Sequence, residues 1–157
     1  MRISEALHGV SLLSVDTAPF IYFVERYPQY VDRMHAIFVP VSEGKLEIIT
    51  SIVTLSEMLV KPLKIRDTGL RTAFKTLFLR TRNVRLVVVN LAIAERAADL
   101  RARHNLKTPD ALQVATAIET GCDAFLTNDM GMKRVQEIRV LVLDELELDP
   151  APPQADS

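Results

Sequence analysis

Four carboxylates stand at the margins of apolar segments: Asp16 in LLSVDTAPF, Glu57 in SIVTLSEMLV, Asp110 in LKTPDALQVATAI and Asp129 in AFLTNDMGMK. Each follows a strand-like run or falls in the first turn of a helical one. In an α/β sheet such places converge on one rim, where ligands bind. Acids gathered there repel one another unless a cation lies between them. A ligand set made only of oxygen suits Mg²⁺ or Mn²⁺ rather than zinc.

Taken singly, each acid also has an ordinary structural use. Asp16 reads as the cap of the helix that follows it. Glu57 closes Thr54-Leu55-Ser56-Glu57, a capping-box pattern. Asp110 comes just after Thr108-Pro109, where a helix dipole favours an acid. Asp129 in Asn-Asp-Met-Gly reads as a turn residue. The case for a site rests on the four together.

The elements that must position them alternate along the chain. LLSV (12–15) reads as a short buried strand, and TAPFIYFVERY as a helix with Pro19 in its first turn. Val31, Met34, Ile37, Phe38 and Val41 recur at helical spacing over 30–43, with Pro40 near the end and Gly44 as a stop. LEIIT (46–50) predicts a second strand, and TLSEMLVKP (54–62) a helix ended by Pro62. An amphipathic basic helix follows over 67–82. RLVVV (85–89) predicts a strand buried on both faces. Helices over 92–104 and 109–120, the second capped by Thr108 and stopped at Gly121, bring in strands AFLT (124–127) and RVLVL (139–143). Five strands alternating with helices predict an α/β domain whose sheet is mostly parallel and covered on both faces. Right-handed crossovers then put every strand's carboxyl end on one rim.

At 157 residues the chain has the length of one domain, and its 48% apolar and 25% charged residues are ordinary for a globular protein. The single Cys122 has no intramolecular partner, which fits a reducing, cytoplasmic setting, and its place before AFLT suits a small buried hydrophobe. No apolar run reaches the roughly 18 residues of a membrane span. MRISEALHGVSLLSVD makes a poor signal peptide, interrupted by Glu5 and His8. A net charge of −1 argues against a general nucleic-acid binder. The charge is uneven, however: residues 68–107 hold nine Lys or Arg against two acids. That segment reads either as the solvated faces of two helices or as a basic flank for a phosphate backbone, with Arg80, Arg82 and Lys107 as its candidate RNA contacts.

LLSVDTAPFIYF, ITSIVTLSEML and LKTPDALQVATAIETGCDAFLTND, with the final strand, resemble a PIN domain of the toxin type, similar to VapC. The resemblance runs from about residue 11 to 145, and PDALQVATAIETGCDAFLTND is its most specific part. It leaves residues 1–10 as an N-terminal extension and 146–157, rich in Pro and Asp, as a tail expected to be disordered. The resemblance implies a three-layer α/β/α fold and a metal-dependent ribonuclease acting through an acidic quartet, here Asp16, Glu57, Asp110 and Asp129. Asp16, Asp110 and Asp129 would ligate Mg²⁺ or Mn²⁺, Glu57 would complete the shell or orient the attacking water, and Thr127 and Thr17 would be polar supports. Products with a 5′-phosphate and a 3′-hydroxyl, a homodimer, and an antitoxin that silences the site are further implications. Phe20, Tyr22, Phe23, Tyr27 and Tyr30 suit either a dimer or antitoxin surface or the core. The chain departs from the family in its first ten residues and in Met130-Gly131-Met132 after TND.

Other chemistry finds less support. His8, His35 and His104 lie in separate segments without a Ser or Cys partner, and neither GxGxxG nor GxxxxGK[ST] occurs. An aspartyl-phosphate phosphatase wants a second acid where Ala18 stands. A phosphoacceptor domain wants an acidic cluster beside the first strand, which is absent. The principal alternative is a PIN-fold module that binds RNA or protein without cleaving.

Overall fold

The computed structural model describes residues 1–153. Five strands form one all-parallel sheet: β1 (Leu12–Val15), β2 (Glu47–Ser51), β3 (Val84–Val87), β4 (Ala124–Thr127) and β5 (Arg139–Val142), in the order β3-β2-β1-β4-β5. The helices among the described residues are α1 (Ile3–Ala6), α2 (Thr17–Val24), α3 (Val31–Ser42), α4 (Ile52–Lys64), α5 (Thr68–Arg80), α6 (Leu91–His104) and α7 (Thr108–Glu119). None is long and apolar enough to cross a membrane.

Alternation along each strand divides the core between two faces. Leu13, Val15, Ala124 and Leu126 pack with Phe20 of α2, Met34 and Ile37 of α3, Met58 of α4 and Phe74 of α5. Phe125, between Ala124 and Leu126, points the other way. It joins Ile93 and Leu100 of α6 and Val114 of α7. Helices therefore cover both faces, and the fold is the three-layer α/β/α arrangement expected.

Several boundaries differ from the sequence reading, each for a local reason. α4 begins at Ile52 under the cap of Ser51, whose Oγ accepts from the Val53 N–H at 3.2 Å. The capping box at Thr54 and Glu57 is therefore not formed, and Glu57 lies in the second turn. Pro62 does not end that helix but sits inside its last turn. Thr108 is the first residue of α7 rather than its cap. β3 stops at Val87 and is an edge strand, so Arg85, Val88 and Val89 are exposed instead of buried. Gly44 and Gly121 do stop their helices, with φ of +73° and +74°. Cys122 is half-buried against the α6–α7 side, and burial pushes its thiol pKa up.

The N-terminal residues meet residues 146–149. The Ile3 N–H donates to the Glu147 carbonyl at 3.0 Å, the Glu147 N–H donates to the Met1 carbonyl at 2.8 Å, and Ile3, Ala6 and Leu146 are buried. Residues 146–149, assigned to the tail expected to be disordered, are thus held against the N-terminal segment. Residues 154–157 of that tail lie outside the described residues.

Candidate active site

The sheet order creates a crevice at one place. The chain runs from β1 outward through β2 to β3, then returns to place β4 on the other side of β1. At such a switch point the connections leave β1 and β4 in opposite directions, and a groove opens beyond their carboxyl ends. Asp16 directly follows β1, and Asp129 lies two residues beyond β4.

Asp16 caps α2 and is tied across the crevice. Its Oδ1 accepts from the Thr17 N–H at 2.7 Å and its Oδ2 from the Thr127 hydroxyl at 2.8 Å. Thr127 Oγ1 in turn accepts from the Asp129 N–H at 3.1 Å, so one buried hydroxyl links the two acids. Asp129 caps the 3₁₀ turn Met130–Arg134 through a 2.8 Å bond from the Gly131 N–H. Met130 in that turn is exposed, while Met132 is buried and anchors it.

Asp110 enters from the first turn of α7, and Glu57 from α4 with its Oε1 accepting from the Thr17 hydroxyl at 3.0 Å. Burial pushes the Asp16 carboxyl up from an ordinary 3.8 to about 6, against the lowering effect of its two hydrogen bonds, with further upward pressure from Asp110 and Glu57. Asp110 is raised as well, first by burial and then by Asp129 and Glu57. The four acids therefore feel one another's charge around a single crevice. Among the described residues, no group of three or more Asp, Glu, His or Cys side chains stands close enough together to hold a metal ion directly.

Lys107 and Arg134 stand beside Asp110, and each works to lower its pKa. Arg80 and Arg82 do not join them. They precede β3, whose first residue pairs with Ile48 near the start of β2, so they sit at the opposite rim. The basic segment as a whole is also dispersed. Arg85 pairs with Glu47 at 3.2 Å, Arg96 with Glu119 at 2.8 Å, and Arg103 with Asp99 and Glu137. Residues 68–107 wind through α5, β3 and α6, so charges close in sequence point in several directions.

A polar network beneath the acids was not foreseen. Buried Gln113 donates through Nε2 to Thr54 Oγ1 at 2.5 Å and to Thr17 Oγ1 at 3.2 Å. Thr54 and Thr50 lie 2.7 Å apart at their hydroxyls, and Thr50 donates to the Val15 carbonyl at 2.7 Å. One signal was available: Gln113 follows Asp110 by three positions, on the same side of a helix. Of the aromatic group, Phe20 is core, while Tyr22, Phe23, Tyr27 and Tyr30 are half-buried. Tyr22 stacks on Tyr30 at 4.3 Å and Phe23 on Phe38 at 4.3 Å.

The PIN domain profile matches residues 13–138. The chain belongs to the PIN domain family. Several solved structures share its fold. VapBC2 from Rickettsia felis, bound to a DNA fragment from its promoter, is 15% identical with a TM-score of 0.69, over 83% of this chain and 98% of that one. VapC20 from Mycobacterium tuberculosis, a sarcin-ricin loop cleaving toxin, is 20% identical with a TM-score of 0.61, over 81% and 98%. A toxin–antitoxin complex from Klebsiella pneumoniae is 22% identical with a TM-score of 0.61, over 85% and 97%. No curated protein matches the chain.

Proposed function

We propose that this chain is a Mg²⁺- or Mn²⁺-dependent endoribonuclease of the toxin type, silenced by an antitoxin protein and acting as a homodimer in the cytoplasm. The observation that carries this reading is the crevice beyond β1 and β4. There Asp16 is held by Thr127 and Thr17 while burial, Asp110 and Glu57 oppose its ionisation. A carboxylate kept in that setting favours a cation beside it. The donor set fits: Mg²⁺ takes one or two carboxylates and keeps several waters, so a complete cage of side chains is not needed.

Asp16, Asp110 and Asp129 would hold the ion, directly or through water, and Glu57 would complete the shell or orient the attacking water. When bound, the ion supplies Lewis-acid polarisation and neutralises charge on the phosphoryl group. Thr127 fixes the Asp16 carboxylate and the Asp129 backbone in one bond pair, which limits how far the two acids drift apart. Lys107 and Arg134, exposed beside Asp110, suit the phosphates flanking the cleaved bond. The antitoxin and RNA partners rest on the likeness to toxin–antitoxin structures.

The test is cleavage of a mixed RNA pool by the purified chain with Mn²⁺, with chelator, and as Asp129→Asn. Mn²⁺-dependent cuts that leave a 5′-phosphate and a 3′-hydroxyl, lost in the variant, are expected. A 2′,3′-cyclic phosphate end would contradict the mechanism. RNA binding without cleavage, indifferent to Mn²⁺, would favour a non-catalytic module.

A further inference from the structure

We propose that Gln113 is a positioning residue that sets Glu57 through the Thr17 hydroxyl, from its place between α2 and α4 beneath the acids. This rests on the nuclease reading above. The proton assignments around it have only one consistent solution. The Thr50 hydroxyl donates to the Val15 carbonyl, which accepts only, so Thr54 must donate to Thr50. The Thr17 hydroxyl donates to the Glu57 carboxylate. Both Thr54 and Thr17 have thereby spent their single proton and can only accept from the amide between them. Gln113 supplies the two N–H groups of Nε2, at 2.5 Å and 3.2 Å. Flipping the amide would set Oε1 against two oxygens that have no proton to give.

The amide pays for this role in the position of its other end. Gln113 is 1% exposed, and its Oε1 has no hydrogen-bond partner among the described residues. A buried acceptor left unmet lowers stability. A side chain kept only for packing would do better as Leu or Met, which match its bulk and bring no oxygen. The amide has a use that an apolar residue cannot fill: it is the shared donor that leaves the Thr17 proton free to point at Glu57. That donor bonds α4 and α2 directly, and through Thr54 the chain of hydrogen bonds runs on to two strands, so four elements are linked. They are β1 through Val15, β2 through Thr50, α4 through Thr54, and α2 through Thr17, with Gln113 itself on α7 one turn beyond Asp110.

The experiment compares Gln113→Leu, Glu57→Gln and the double variant with wild type, each as the full chain. Two readouts are taken: Mn²⁺-dependent RNA cleavage, and the rise in Tm on adding Mn²⁺ without RNA. Gln113→Leu is expected to melt at or above the wild-type temperature in chelator. It should lose activity about tenfold or more, the scale seen when a residue orienting a metal-site ligand is removed. The loss should appear in kcat with KM for RNA nearly unchanged. In the Glu57→Gln background the same substitution should change cleavage by less than about twofold, because coupled residues are not additive. Full activity in Gln113→Leu, a loss that tracks a lower Tm in chelator, or losses that multiply in the double variant would each overturn the proposal. A wild type that neither cleaves RNA nor gains Tm from Mn²⁺ would instead remove the nuclease reading, and this inference with it.

Discussion

The two rims of this sheet are built from opposite materials. At the carboxyl rim stand Asp16, Asp110, Asp129 and Glu57, over a floor of buried Thr50, Thr54, Gln113 and Thr127. At the amino rim, Phe23 and Phe38 stack beside a cleft of about 430 Å³ that His35, Val39, Val41, Ser42 and Arg82 complete. This apolar concavity is thus at the end without the acids. Parallel strands explain the separation. Every β-to-α connection leaves from the carboxyl rim, where helix N-termini gather and favour negative charge. Every return passes the amino rim, where helix ends need only be packed.

The comparison is broken most directly by exchanging the consequences of substitution at the two rims. Asp129→Asn should reduce RNA cleavage by on the order of 10²–10³-fold, the scale of losing one preorganised electrostatic contact to a transition state. Its fold should survive, as read by circular dichroism. Phe38→Ala at the other rim should do the reverse. It removes the Phe23 stack and is expected to lower stability by about 3 kcal/mol, while cleavage per folded molecule stays near wild type. If Phe38→Ala abolished specific activity in a folded protein, the division between the rims would fail.

A pH titration sharpens the electrostatic half of the argument. In the folded chain Asp16 keeps its proton up to about pH 6, whereas unfolded it gives the proton up near 3.8. Between those values the folded state binds more protons, so its stability without metal falls as pH rises, by about 3 kcal/mol across the window. That stabilising contribution is fully present below pH 3.8 and gone above 6. The difference between wild type and Asp16→Asn in chelator isolates this slope from the other acids. Equal pH dependence of the two Tm values would mean that Asp16 is not held as described.

The smallest effects separate the basic residues. Lys107→Ala and Arg134→Ala should each weaken RNA affinity and reduce the slope of log affinity against log salt by about 1. Arg82→Ala, at the far rim, should leave that slope unchanged. A reduced slope in Arg82→Ala would extend the RNA path around the edge of the sheet.

Much of this was readable from local patterns. Strand-like LLSV, LEIIT and AFLT, and the stops at Gly44 and Gly121, stand where the residues themselves say. Local chemistry at helix starts was less readable. Thr54-x-x-Glu57 satisfies a capping box on paper, yet Ser51 caps α4, because β2 ends there and the helix begins at once. That shift turns Thr54 inward and frees it for Gln113. The edge position of β3 was likewise hidden, since LVVV is as apolar as a central strand.

By itself the sequence determined the alternation of strands and helices and the four acids that follow from it, because apolar periodicity and chain punctuation are local properties. Tertiary structure alone decided three things. The return of β4 beside β1 made the crevice that joins Asp16 to Asp129 through Thr127. The winding of residues 68–107 took Arg80 and Arg82 away from the acids and left Lys107 near them, where the turn after Asp129 brings Arg134. The meeting of α2, α4 and α7 brought Thr17, Thr54 and Gln113 into one hydrogen-bonded floor. Each depends on groups tens of residues apart sharing a few ångströms, and a separation in space is not written in a spacing along the chain.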